Sequence, residues 1–517
     1  RQYDIDNTYI NVLYKRTAKG GICMLYIGVD LGTSACKFLL VDEEGKVCNQ
    51  VTREYPLSMP HTGWSEQDPA DWWKACLEGI PMLLQGFDPA QVEGIGIGGQ
   101  MHGLVALDAG DAVLRPAILW NDGRTAKETD YLNNEIGRAT LSRCTGNIAF
   151  AGFTAPKVLW MKENEPDLYA KIRKIMLPKD YLVYKMTGVH ATDYSDASGM
   201  LLLDVEHKCW SEEMCRICGV DPAWLANLYE SWEQVGTLQP EVARALGLPE
   251  TVKVCAGAGD NAAAAVGTGT VGDGRCNISL GTSGTIFISS KKFGVDDTNG
   301  LHAFAHADGG WHLMGCMLSA ASCNKWWMDD ILKVTAADYN AEQAPIDEER
   351  LGRNNVFFLP YLMGERSPIN DTDARGTFVG LSMDTARADI TQAVLEGVSF
   401  AIRDCYEVAR SLGVEIPRSN ICGGGAKSPL WCNIMANVLG IPLDILVTEQ
   451  GPGYGGALLA MVCCGRYATV QEATDALVHV SRTIEPDPAI TARYEERYQK
   501  FKKIYPTLKP LFKELAQ

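Results

Sequence analysis

Apolar residues along the chain follow two rhythms, and the two alternate. From Leu25 the run LYIGVD, a turn at LGTS and then ACKFLLVD read as two apolar strands folded into a hairpin. VEGIGIGG (92–99) reads as a further strand built of small residues. ITQAVLEGVSFAIRDCYEVARSLG (390–413) instead keeps its apolar positions three and four apart, which predicts a long amphipathic helix closed by Gly413. Strand and helix signals continue to alternate to the C-terminus, and that predicts an α/β fold. Residues 1–23 lack either rhythm, so they read as a leader outside the fold, with Met24 its natural start.

A second feature organises the chain at long range. Leu31-Gly32-Thr33-Ser34 recurs 249 residues later as Leu280-Gly281-Thr282-Ser283, and each copy lies between two strand-like runs. Two copies in the same strand, turn, strand setting point to related halves that face each other across a cleft. The boundary is expected within NAAAAVGTG, which gives an N-terminal domain over 24–264 and a C-terminal domain over 265–517.

Composition narrows the classes. At 517 residues the chain is too long for one compact domain, and 46% hydrophobic with 21% charged residues is a globular composition. The formal charge of -17 lacks the basic excess that nucleic acid or anionic membrane would need. No apolar run approaches the roughly 18 residues of a membrane span. A cytoplasmic protein with no nucleic-acid or membrane partner is expected. Seventeen irregularly spaced cysteines read as reduced thiols, and the Cys215/Cys218 pair lacks the other ligands of a structural zinc site.

The two LGTS turns carry the first candidate chemistry. Glycine permits close backbone approach, successive N–H groups face an anion, and Thr and Ser hydroxyls add donors without charge. Two such turns suit one polyphosphate. Asp30, just before the first turn, is placed either to hold magnesium through water beside those phosphates or to cap the turn. Asp260 and Asn261 follow a small-residue strand and open an alanine-rich helix, where Asp260 reads either as a carboxylate aimed at the cleft or as an ordinary N-cap. Gln100-Met101-His102-Gly103 and Trp120-Asn121-Asp122-Gly123-Arg124 each follow an apolar run, and amides, imidazole, guanidinium and an indole face at strand ends suit a polyhydroxylated ligand. Three GxGxxG segments begin at Gly94, Gly267 and Gly451. None has the full dinucleotide context, although the third enters a helix-like run and could face a nucleotide. GxxxxGK[ST] and HExxH are absent.

With these residues in place the sequence resembles the FGGY carbohydrate kinases from Met24 nearly to its C-terminus. GFTAPKVLWMKEN (152–164) and GTFVGLSMDTARADITQAVLE (376–396) meet the family's two long signatures, and QMHG, AILWNDGR, GWSEQDPADWW, WHLMGCMLSAASC and LPYLMGERSP place it among the members that phosphorylate ketoses. The resemblance implies two actin-like domains of the sugar kinase and heat-shock ATPase fold, with the active site in the cleft between them. It implies transfer of the ATP γ-phosphoryl group to the primary hydroxyl of D-xylulose, assisted by magnesium. By the same carry-over Met101, His102, Trp120, Asp260 and Asn261 face the sugar, Asp260 being the base, while Asp30 keeps the metal-side role read from its place before the first turn. The ATP site maps onto Thr33, Ser34, Gly281, Thr282, Ser283, Gly424, Gly425, Ala426 and Asn433. A homodimer is in keeping with the family. GPGYGGA (451–457) carries more glycine than the family pattern. Another ketose or polyol such as L-xylulose, ribulose or gluconate, or an ATP-binding regulator of the same fold, remains the alternative; QMHG, WNDGR and Asp260 argue against the regulator.

Overall fold

In a computed structural model of the protein, residues 23–447 and 450–516 are described. The expected leader therefore lies, but for Cys23, outside the described residues. Two mixed sheets of seven strands each organise the chain. The first comprises β1 (Leu25–Leu31), β2 (Ala35–Asp42), β3 (Val47–Glu54), β4 (Val92–Gly99), β5 (Gln234–Thr237), β6 (Lys253–Cys255) and β7 (Ala258–Gly259), in the order β5-β6-β4-β1-β2-β3 with β7 beside β4. The second comprises β8 (Arg275–Leu280), β9 (Gly284–Ser290), β10 (His302–Ala305), β11 (Trp311–Met317), β12 (Arg418–Cys422), β13 (Leu443–Leu446) and β14 (Val480–Ile484), in the order β10-β11-β9-β8-β12-β13-β14.

The sequence echo is an architectural one. β1 and β2 form an antiparallel hairpin around Gly32, and β1 runs parallel to β4; β8 and β9 form the same hairpin around Gly281, and β8 runs parallel to β12. The apolar runs explain both arrangements. Leu25, Ile27, Val29 and Leu31 are buried in β1 against Phe38, Leu40 and Trp72, while Ile278 and Leu280 join the core of the second sheet with Trp431 and Phe400.

Six helices position the site and the seam between halves: α1 (Thr154–Asn164), α2 (Pro178–Thr187), α3 (Asp260–Gly267), α4 (Arg387–Ser411), α5 (Pro429–Leu439) and α6 (Gly451–Cys463). α4 is the long helix expected from the period, and Gly413 at φ 83° follows its end as a left-handed stop. The boundary expected after residue 264 falls inside α3.

α6 corrects the nucleotide-facing reading of the third glycine motif. It lies across β1 and β4 with backbone against backbone: a Cβ on Gly28 would stand 1.8 Å from the Gly453 carbonyl oxygen, and one on Gly96 2.0 Å from that of Gly456. On its other side, a Cβ on Gly455 would stand 1.8 Å from the Ala263 oxygen of α3. Gly96 of the first motif and Gly453 and Gly456 of the third thus serve close backbone approach at one seam. No helix among the described residues is long and apolar enough to cross a membrane.

Candidate active site

The end of β4 carries the first group. His102 sits at φ 70°, a left-handed conformation that a non-glycine residue adopts only when its surroundings enforce it. α1 does the enforcing: Thr154 Oγ1 (3.0 Å) and Lys157 Nζ (2.8 Å) both donate to the His102 carbonyl oxygen, and Lys157 donates again to Gly152 O at 2.7 Å. Lys157 is fully buried with no ion pair among the described residues, and burial holds its amine well below the ordinary lysine range. The clamp turns the imidazole onto Phe153, stacked at 4.8 Å, with Phe304 of β10 at 6.4 Å edge-on. Gly199 O lies 2.8 Å from Nδ1 and can only accept, so Nδ1 carries the proton and Nε2 offers a lone pair. Burial, reinforced by the Lys157 charge, pushes the imidazole down to about 3, so the ring stays neutral. A neutral acceptor seated in aromatic surroundings fits a sugar hydroxyl. His102→Ala is expected to weaken ketose binding by about 1 to 3 kcal/mol, the scale of a partner left unpaired, while ATP binding measured by calorimetry stays put.

Asp260 comes from the opposite direction. Gly259 is the cap of α3 and Asp260 its first residue, so Asp260 is not the N-cap; its Oδ1 instead accepts from the Asn261 N–H (2.7 Å) and from Asn261 Nδ2 (3.0 Å). Burial lifts its carboxyl to about 7, the Asn261 N–H opposes that shift, and the Asp30 charge adds to it. Met101 is buried beneath this turn: a Cβ on Gly259 would stand 2.9 Å from its sulfur, and Asn261 Nδ2 lies 3.9 Å from it. Met101 therefore shapes the floor of the site and offers it no strong polar group.

Asp30 stands near the end of β1 opposite Lys37 of β2, and burial raises its carboxyl to about 6 against the pull of Lys37. No group of three or more metal-ligating side chains occurs among the described residues. What is present is the carboxylates of Asp30 and Asp260, the Asp30 charge adding to the upward shift of Asp260. Such a donor set fits magnesium held mainly by water and phosphate oxygens, which is how that ion is commonly bound beside nucleotides.

The first LGTS turn departs from expectation. Trp120, 46% exposed, donates from Nε1 to Thr33 Oγ1 at 2.9 Å, and Thr33 Oγ1 donates to Gln100 Oε1 at 3.3 Å. The Thr33 hydroxyl is thus committed to the sugar-side wall, and Ser34 is the exposed hydroxyl of that turn. In the second turn Thr282 and Ser283 are both exposed, and neither Gly32 nor Gly281 has a positive φ. Gly423, at φ 87°, does need its missing side chain: a Cβ there would stand 2.8 Å from Leu280 of β8. That approach brings Gly424 and Gly425 beside Thr282, Ser322, Lys427 and Ser428 around a cavity of about 510 Å³. Ala426 is buried beside the cavity, not on its lining. Asn433 is not brought to it either, because it lies inside α5 with its Oδ1 accepting from Asn437 Nδ2 at 2.6 Å.

Comparison with known proteins fixes the class of this arrangement. Residues 25–267 match the N-terminal domain, and residues 276–464 the C-terminal domain, of the FGGY family of carbohydrate kinases. The chain belongs to the FGGY carbohydrate kinases. It is 41% identical over 491 residues to a xylulose kinase of Escherichia coli (strain K12), covering 94% of this chain and all of the relative. A solved structure described as a xyloylose kinase from Brucella ovis superposes with a TM-score of 0.89 at 41% identity, over 94% of this chain and 100% of that one. A gluconate kinase from Lactobacillus acidophilus gives 0.90 at 25% identity, over 95% and 100%. As an FGGY member this is a carbohydrate kinase, with ATP as phosphoryl donor and a small sugar as acceptor, on the actin-like fold expected from its sequence.

Two contributors to the FGGY site were not singled out from sequence as site residues. The Thr154 and Lys157 clamp was visible only as a family signature; no local pattern says that its target is residue 102. Arg366 follows buried Glu365, whose Oε1 accepts the N–H groups of Leu318 and Arg366 at 2.8 Å each, and burial brings Glu365 up to about 7. The Arg366 guanidinium lies over Phe150 at 5.3 Å, within electrostatic reach of His102, and forms no ion pair among the described residues.

Proposed function

We propose that this FGGY kinase transfers the γ-phosphoryl group of ATP to the primary hydroxyl of D-xylulose, giving D-xylulose 5-phosphate and ADP. The observation that carries the reading is the pairing of a neutral, acceptor-only Nε2 on His102 with the carboxylate of Asp260 at one floor, Met101 between them. The full-length likeness to xylulose kinases supports the choice of sugar. In this reading His102, Asn261 and the Trp120 face orient the ketose, and Asp260 accepts the proton of the hydroxyl as its oxygen forms the new P–O bond. The bond from the γ-phosphorus to the bridging oxygen breaks, and ADP leaves with that electron pair. Ser34, the Gly281 to Ser283 turn and the Gly424–Gly425 turn hold the nucleotide. Asp30 is the residue that would hold magnesium, which supplies charge neutralisation on the phosphates when bound.

Asp260 accepts a proton only when ionised, and its carboxyl lies at about 7. Ionised base is therefore lost as pH falls through about 7, and not through the ordinary carboxylate range near 4. The expected result is kcat/KM for ketose that falls about tenfold per pH unit below that point. A profile flat down to pH 5.5 would contradict the assignment.

A second reading has its own observation. The Arg366 guanidinium, which forms no ion pair among the described residues and lies within electrostatic reach of His102, would suit the carboxylate of a sugar acid such as gluconate. Coupled ADP release measured with D-xylulose, L-xylulose, ribulose and gluconate separates the readings: D-xylulose should give the highest kcat/KM, and a higher value for gluconate would replace our reading with the second.

A further inference from the structure

We propose that Ser195, oriented by the buried Asp193–Lys179 ion pair, is the residue that positions Asp260. The inference rests on Asp260 being the proton acceptor. Lys179, in the first turn of α2, lies directly beneath the end of β4, where a Cβ on Gly99 would stand 2.7 Å from the Lys179 Cβ. Its ammonium meets Asp180 at 2.6 Å, Asp193 at 2.9 Å and Asp196 at 3.7 Å, all of them buried. Three buried carboxylates around one ammonium make poor stabilising chemistry, and neither Asp196 oxygen has a hydrogen-bond donor among the described residues. An arrangement so costly to bury asks for a purpose.

The hydrogen bonds leading away from the cluster supply one. Asp193 Oδ2 accepts from the Ser195 N–H (2.9 Å), from the Ser195 hydroxyl and from the Ser231 hydroxyl (2.8 Å). The single Ser195 hydroxyl proton is thereby committed, and its oxygen is left to accept from the Gly259 N–H at 3.2 Å. Gly259 caps α3 and immediately precedes Asp260. Glycine is the softest joint a backbone can have, and the N–H groups of a helix start have no partners within the helix. Ser195 thus fixes the peptide from which Asp260 projects. Lys179 beneath β4 ties the same chain of bonds to the strand that delivers Met101 and His102.

A reacting group displaced by about 1 Å costs up to 10²-fold in rate, so losing this tether should cost turnover and not binding. Ser195→Ala is expected to lower kcat about tenfold with KM for D-xylulose and ATP within about twofold, and Ser195→Thr, which keeps the acceptor, to restore it within about threefold. Because Ser195 acts through Asp260, Ser195→Ala should change the residual rate of Asp260→Asn by less than about twofold. Ser195→Cys, which keeps a third side-chain heavy atom and a weaker acceptor, keeps the test open should the alanine variant fail to fold, and should fall between parent and alanine. Equal losses in both backgrounds, no loss at all, or a loss confined to KM would overturn the proposal. Asp260→Asn alone judges the base assignment, since near-parental turnover there removes that assignment whatever Ser195 does.

Discussion

Asp260→Asn should leave a folded protein that binds ketose and ATP within a few-fold of the parent but turns over about 10² to 10⁴ times more slowly. Asparagine keeps the shape of the side chain and its Oδ1 acceptor, so the bonds from Asn261 survive. What it loses is the capacity to take a proton. Were the carboxylate present only to favour the helix start, asparagine would serve nearly as well and the rate would barely move. Its position in the first turn, after the Gly259 cap, already weakens that alternative. Single-turnover measurement at saturating substrate decides the matter, because it isolates the chemical step from product release; a variant keeping more than about a tenth of the parental rate would remove Asp260 from the proton path.

The second large effect lies at the seam. Gly28→Ala places a Cβ 1.8 Å from the Gly453 oxygen and 2.9 Å from the Ala457 nitrogen, both backbone atoms of α6. A side chain in that place would rotate away; a helix backbone cannot. Destabilisation of about 3 kcal/mol, the upper part of the usual overpacking range, is expected. Gly294→Ala is the matched control, since its Cβ would meet only Leu412 side-chain atoms at 3.7 Å and beyond. Urea midpoints should separate the two variants clearly, and matching midpoints would mean that the seam yields more easily than its geometry implies.

How much of this was legible beforehand depends on how local each signal is. The hairpins around Gly32 and Gly281 were readable because a glycine turn between two apolar runs is written within a dozen residues. α4 was readable because its period repeats over 25 residues. The tie between Thr33 and Trp120 was not readable for the opposite reason: the two lie 87 positions apart, and nothing in either neighbourhood records the pairing. Asn433 belongs to the GGGAKSPLWCN segment, but it lies in the helix that begins at Pro429 and not on the lining of the cavity beside Gly424. The glycines of 451–457 read as a turn that enters a helix-like run and could face a nucleotide, and glycine is disfavoured inside a helix by propensity alone. Contact with two strands and a second helix overrides that preference.

The seam also bears on how the protein can be cut and recombined. A fragment ending near residue 267 contains every strand of the first sheet, yet the helix covering β1 and β4 is encoded almost two hundred residues later. Released alone, such a fragment would present a glycine-lined trough of bare backbone to water, with α3 exposed along the flank that Gly455 normally fills. Grafting the sugar-side half into another protein therefore requires transplanting 451–463 along with it, on a tether or as a separate peptide. The gene order describes two consecutive halves, while the physical unit that can be lifted out is discontinuous.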